Sequence, residues 1–331
     1  MLFRFYNKNI TEGKSFLIFA AIVAVFFRGY HFFNTELILP GVDESGCLWQ
    51  PLAFLFQNPL YSLIGSTIFM LVIALLINMM NTQHVLIRKK TLLPVGIAIL
   101  LLSFIPQQLS MSPAYIGVVC ILLAVNHLFS AHNEEISQMI VFKSSFYLAL
   151  GSLFDPVLLF YFPVLWVCFI RIRSFGLKAF FASLFGIVLL YAPVFSYYFL
   201  IERNPARFMH PFEHVISTNW AKIPVLEYGL FNYIILGITV FLIVTILLDN
   251  SVNGFKNKIR IRVFLAVLSI ISIFSVLCVL LLNISSVLPL YVALATGSLL
   301  IGHFFSLTSS KAFSVLFFAL LIFVCVLGFC F

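Results

Sequence analysis

The sequence predicts an all-α fold, a polytopic transmembrane bundle of about eleven spans that forms a single domain over residues 1–331. Three observations predict it. Hydrophobic residues make up 63% of the chain and charged residues 9%, against about 25% charged in a soluble domain, so lipid has to serve as the solvent. The apolar residues come in runs close to the roughly 20 residues that a helix needs to cross a bilayer. The basic residues fall between those runs on alternate sides.

Taken in order, the apolar runs are Ser15–Asn34, Tyr61–Met80, Leu92–Ile105, Ala114–Ser130, Ile136–Phe154, Val157–Ile170, Ala179–Leu200, Tyr228–Leu248, Val263–Leu282, Val287–Phe305 and Ala312–Cys330. The first leads into Arg28-Gly29-Tyr30-His31 without a small-residue cleavage site, so it reads as a retained span and not as a signal peptide. Lys143 interrupts the fifth run, and Asp155-Pro156 splits it from the sixth. That pair reads either as two short spans or as one re-entrant hairpin, and the rest of the topology is the same in both cases.

Orientation follows from the basic residues. With the N-terminus in the cytosol, fifteen of the nineteen Lys and Arg residues fall in cytoplasmic segments. They are Arg4, Lys8, Lys14, Arg88, Lys89, Lys90, Lys143, Arg171, Arg173, Lys178, Lys256, Lys258, Arg260, Arg262 and Lys311. Outer loops hold Arg203, Arg207 and Lys222, while Arg28 lies within a span. The asymmetry fixes the N-terminus inside and the C-terminus outside. The net charge of +8 is thus a topological mark and no sign of a nucleic-acid partner. Acidic residues gather outside instead, among them Glu36, Asp43, Glu44, Asp155, Glu202, Glu213 and Glu227. The cysteines show no C-x-x-C spacing. Cys47 alone lies in a loop, and neither a disulfide nor a metal is expected.

Two outer segments are long. Residues 35–60 begin polar and then turn apolar over Leu48–Phe56, which is too short to span and reads as an interfacial helix with Trp49 in the headgroup zone. Residues 201–227 form the second.

Few residues are candidates for chemistry. Asp43 and Glu44 are adjacent carboxylates in the first outer loop. They read as a general base or part of a metal site, or as solvated loop acids. Arg28 lies roughly 18 Å along the first span at 1.5 Å per residue, with His31 one turn on. It reads as a phosphate contact at the rim of a cavity, or as a side chain snorkelling to the outer interface. Asp155 reads as a helix cap ahead of Pro156, or as a second carboxylate facing the same cavity. Arg203, Arg207, His210 and His214 recur at spacings of four, three and four, which on one helix face makes a cationic patch suited to an anionic lipid phosphate. Pro205 and Pro211 argue against a continuous helix there, and the alternative is a loop touching headgroups. No H-E-x-x-H spacing occurs, so no metal or other cofactor is assigned.

The layout resembles the GT-C superfamily of integral membrane glycosyltransferases. The resemblance rests on Asp43-Glu44 in the first outer loop, on the Leu48–Phe56 piece after it, and on the central run Leu150–Trp166 followed by Arg171-Ile172-Arg173 and Gly186. The central run also looks like a group of uncharacterised multi-pass inner-membrane proteins of Bacteroidota, with which the high Phe content agrees. The resemblance implies a bacterial inner-membrane enzyme that takes a sugar from a polyprenyl-phosphate donor to an acceptor at the outer face. It implies Asp43 or Glu44 as general base, and Arg28 with Arg203 or Arg207 on the departing phosphate. The other expectations are a scaffold or subunit of a cell-envelope complex, which needs no shared cavity, and a lipid or glycolipid transporter, for which the usual two-fold repeat is not found.

Overall fold

A computed structural model describes residues 6–11, 13–34, 45–104, 106–131, 137–174, 176–217, 237, 240, 244, 258–281, 286–307 and 311–330. All regular structure among them is helical. The helices are α1 (Ser15–Asn34), α2 (Gln50–Ala53), α3 (Pro59–His84), α4 (Leu93–Leu101), α5 (Pro113–Ser130), α6 (Ser137–Phe154), α7 (Tyr161–Ile172), α8 (Leu177–Leu200), α9 (Pro205–Ser217), α10 (Ile259–Leu281), α11 (Leu288–Leu307) and α12 (Lys311–Cys330). A π-helical turn, Tyr6–Thr11, precedes them. Six of the helices, α1, α3, α5, α8, α10 and α11, are long and apolar enough to cross a membrane. The chain is a multi-pass helical membrane protein.

Local chemistry sets the ends. Asn58 caps α3 by accepting from the Leu60 N–H at 3.0 Å, with Pro59 in the first helical position. That residue has no N–H to satisfy there. The helix stops at Val85, whose φ of 50° is left-handed. On α1 the buried positions Phe16, Ala20, Ala24, Phe27, Arg28 and His31 follow the helical repeat. Ile18, Ile22, Val25 and Phe33 on the other side are exposed, as lipid-facing residues must be.

α11 is the centre, buried without interruption from Leu288 to Ser306. It packs on α10, α4 and α5, while α5 continues to α6, α6 to α8, and α4 to α1. At the end where α1 begins, the Tyr6 hydroxyl donates to the Phe305 carbonyl at 2.7 Å. A Cβ added to Gly302 of α11 would lie 2.5 Å from Cγ of Pro94, so only glycine lets α4 approach that closely. Interhelical hydroxyl pairs, Ser272 with Thr296 at 2.7 Å and Tyr161 with Ser275 at 2.8 Å, hold α10 to its neighbours.

Several expectations need correction. The third apolar run yields only the nine-residue α4, about 14 Å at 1.5 Å per residue. Beyond it the chain is irregular to residue 112 apart from a 3₁₀ turn at Pro106–Leu109. Pro205 and Pro211 do not prevent a helix over 205–217. Pro205 opens α9, and the packing of Phe208 and Phe212 on α8 outweighs the hydrogen bond lost at Pro211. Trp49 is not exposed to lipid headgroups but fully buried in the protein, stacked on Phe56 with ring centroids 5.6 Å apart. Phe54 and Leu55 are the exposed side of that short helical piece. The eighth apolar run, 228–248, lies outside the described residues except at three isolated positions.

Candidate functional site

Two polar clusters form at the end of the bundle away from the start of α1.

The first surrounds Arg28. Its side chain is 4% exposed and turns inward from α1, so it does not snorkel. Nη1 donates to the Leu102 carbonyl at 3.4 Å and approaches Sδ of Met70 at 3.6 Å. Nη2 donates to Oγ of Ser66 and, at 3.5 Å, to the Gln108 carbonyl. Nε is buried without a partner, and no carboxylate among the described residues pairs with the guanidinium. The irregular connection before α5 is laced in by further bonds. The Tyr115 hydroxyl donates to the Gln108 carbonyl at 2.6 Å, the Tyr291 hydroxyl to the Gln107 carbonyl at 3.2 Å, and the Met111 N–H to Oγ of Ser62 at 2.7 Å. His31 is buried one turn after Arg28, its ring 6.1 Å from that of Phe27.

The second cluster is built on the α6–α7 turn. Asp155 is 2% exposed. One carboxylate oxygen accepts from the Val157 N–H at 3.1 Å, and the other from the Ser286 hydroxyl at 2.5 Å. Ser286 Oγ in turn accepts from the Leu288 N–H at 3.1 Å. Asp155 is therefore a cap that clamps the turn to the start of α11. Burial raises its pKa, and the bonds from Ser286 and Val157 oppose the rise.

Against this turn lies the segment that begins at Ser45. The Gly46 N–H donates to the Phe154 carbonyl at 2.9 Å and the Leu48 N–H to the Leu153 carbonyl at 3.1 Å. These two N–H groups satisfy carbonyls that the end of α6 leaves open. A Cβ on Gly46 would sit 2.2 Å from the Leu153 oxygen, so the approach requires glycine. Sγ of Cys47 meets the Phe208 carbonyl of α9 at 3.6 Å, and the Tyr198 hydroxyl of α8 donates to the Cys47 carbonyl at 3.4 Å. Cys47 lies outside the helices, as the sequence places it, but is only 2% exposed.

Asp43 and Glu44 lie outside the described residues, next to Ser45 at the start of this docked tail. Arg203 is exposed in the α8–α9 turn with φ of 53°. It is not part of α9, so the four-residue cationic face expected from 203 to 214 is not continuous. His210 is on α9 and exposed; Arg207 and His214 belong to α9, but their side chains lie outside the described residues. Arg28 and Asp155 share no hydrogen-bond partner.

No family profile, curated protein or solved structure matches this chain. The site therefore has to be read from its own geometry. Sequence reasoning missed Ser66, Gln107, Gln108, Tyr115 and Tyr291, the groups that surround Arg28. The only signal for them was Pro106-Gln107-Gln108, a polar interruption in an otherwise apolar stretch. Among the described residues no three His, Cys, Asp or Glu side chains gather closely enough to hold a metal ion.

Proposed function

We propose that this chain is a GT-C-like glycosyltransferase of a bacterial inner membrane, with about eleven spans, a cytosolic N-terminus and an outer C-terminus. It moves a sugar from polyprenyl phosphate to an acceptor at the outer face. One observation carries the reading: the tail of the first outer loop is hydrogen-bonded into the α6–α7 turn and touches α9. Asp43-Glu44 directly precede that tail in the chain, and α9 carries Arg207 and His210 in its sequence. An acidic pair and a basic helix are the groups that the chemistry needs.

In this reading the acceptor hydroxyl attacks the anomeric carbon as the bond from that carbon to the phosphate oxygen breaks. The phosphate leaves with the bonding electron pair, and Asp43 or Glu44 takes the hydroxyl proton. Arg203, Arg207, His210 and His214 meet the charge that develops on the phosphate. Arg28 retains donor capacity in its unpartnered Nε and its long contacts. Asp155, with both oxygens engaged, acts as a positioning residue.

Incubation of the purified protein with polyprenyl-phosphate sugars and an envelope extract as acceptor source should release polyprenyl phosphate. Asp43→Asn combined with Glu44→Gln should abolish release. Equal release by that double variant removes the pair from the mechanism, and no release with any sugar sinks the transferase reading. In that second case a scaffold or subunit of an envelope complex is preferred, because Asp155 and Arg28 both have inward, structural partners.

A further inference from the structure

The α7–α8 hairpin turns at the end of the bundle opposite Asp155. Three cations occupy eight residues there, Arg171, Arg173 and Lys178, and all are exposed. No acidic residue occurs between Asp155 and Glu202, so the hairpin carries no carboxylate to balance them.

The backbone at the end of α7 is held by two hydrogen bonds. The Arg173 N–H donates to the Ile170 carbonyl at 3.0 Å and the Ser174 N–H to the Phe169 carbonyl at 3.1 Å. This is the helix-ending pattern whose left-handed position favours glycine. Arg173 occupies that position with φ of 65°, where a Cβ is unfavourable. A cation is thus held where glycine would sit more easily.

Exposed apolar side chains run away from the cations along both helices. Val167 and Ile170 on α7 are 50% and 59% exposed, and Leu177 and Phe181 on α8 are 80% and 65% exposed. Lys178 and Phe181 share a helix face at three-residue spacing. Trp166 ties the two helices, donating from Nε1 to Oγ of Ser183 at 3.2 Å with its ring 5.2 Å from that of Phe180. Apolar faces that end in a compact group of cations match the two parts of a phospholipid. A soluble anion would use the cations alone.

We propose that the α7–α8 turn binds the phosphate of an anionic phospholipid whose acyl chains lie along Val167, Ile170, Leu177 and Phe181. Arg171 and Arg173 offer forked guanidinium donors, and Lys178 adds a point charge. The site depends on membrane embedding and not on the transferase reading.

Thermal unfolding of the purified full chain in neutral detergent tests it, with phosphatidylglycerol, phosphatidylcholine and inorganic phosphate as probes. Phosphatidylglycerol should raise the unfolding midpoint, and the other two should not. Arg173→Gly relieves the left-handed backbone, so without lipid it should unfold at or above the wild-type temperature. It should nevertheless lose roughly half or more of the lipid-induced rise. Arg171→Ala with Lys178→Ala should lose the rise as well, and Lys90→Ala, on a separate basic loop, should keep it. The proposal is overturned if Arg173→Gly keeps the full rise, if Lys90→Ala loses as much, or if phosphatidylcholine or inorganic phosphate matches phosphatidylglycerol.

Discussion

Arg28 is a cation in the second half of a membrane helix, and its contacts are all to uncharged groups. Placing a guanidinium there is tolerable because the Leu102 and Gln108 carbonyls and the Ser66 hydroxyl take its protons. Those acceptors belong to an irregular connection and a helix turn, and the Gln108 carbonyl also accepts from the Tyr115 hydroxyl. Arg28→Ala takes the guanidinium donors away from the Leu102 carbonyl and the Ser66 hydroxyl, at about 1–3 kcal/mol for each buried group left unsatisfied. Arg28→Lys keeps one charge but not the fork, so it should lose less. Unfolding of both variants in detergent should rank wild type above lysine above alanine; two silent variants would return Arg28 to the surface. The sequence exposed the anomaly, a charge in an apolar run, because hydropathy is a local property. It did not expose the direction of the side chain, which depends on residues 38 to 80 positions away. Asp155 contrasts with it. Its cap was legible in Phe-Asp-Pro, because a cap is made within three residues, whereas its second bond, to Ser286, spans 131 residues and was not legible.

Among the elements, the 45–49 tail has the largest consequences for the site. Its sequence, Ser-Gly-Cys-Leu-Trp, reads as the end of a loop running into an interfacial helix from Leu48. Its structure is set by α6, whose last carbonyls it caps, and by α9, which closes over Cys47. Gly46→Ala drives a methyl group into the Leu153 carbonyl and should lift the tail from α6. Cys47 then serves as the reporter. A membrane-impermeant thiol reagent should label it slowly in the wild type and several-fold faster in Gly46→Ala, while Cys120, Cys168 and Cys278, all buried, stay slow in both. Equal rates at Cys47 would show that the tail is not held by that contact. α9 makes the same point in the opposite direction. Two prolines argue against it locally, yet Phe208, Phe212 and Val215 form a buried stripe that stabilises the helix. Burial of large aromatic side chains, each contributing about 1.5–3 kcal/mol, is comparable to the roughly 3 kcal/mol that an interior proline costs.

For the whole molecule, the distribution of charge predicts one topology. Tyr6 packs on Phe305 at the same end as the start of α1, so α1 and α11 run in opposite directions. A reporter that is active only outside the cytosol, fused after Phe331, should be active, and the same reporter at the N-terminus should be silent; the reverse pattern would overturn the orientation, and the same result at both ends would overturn the odd span count. The sequence by itself determined that lipid is the solvent, where most helices fall and which loops carry the cations. Each of those is a one-dimensional property: the free energy of moving a stretch of side chains from water to hydrocarbon is close to a sum over neighbours in the chain. Only the tertiary structure decided that Arg28 faces inward, that Cys47 and Trp49 are buried, that α4 stops after nine residues and that the 45–49 tail caps α6. Each of these depends on which helices lie side by side. Inside a membrane the hydrophobic effect does not choose among apolar neighbours, so the choice falls to small residues, close contacts and paired polar groups. Those pairs join residues far apart in the chain, and hydropathy along the chain carries no record of them.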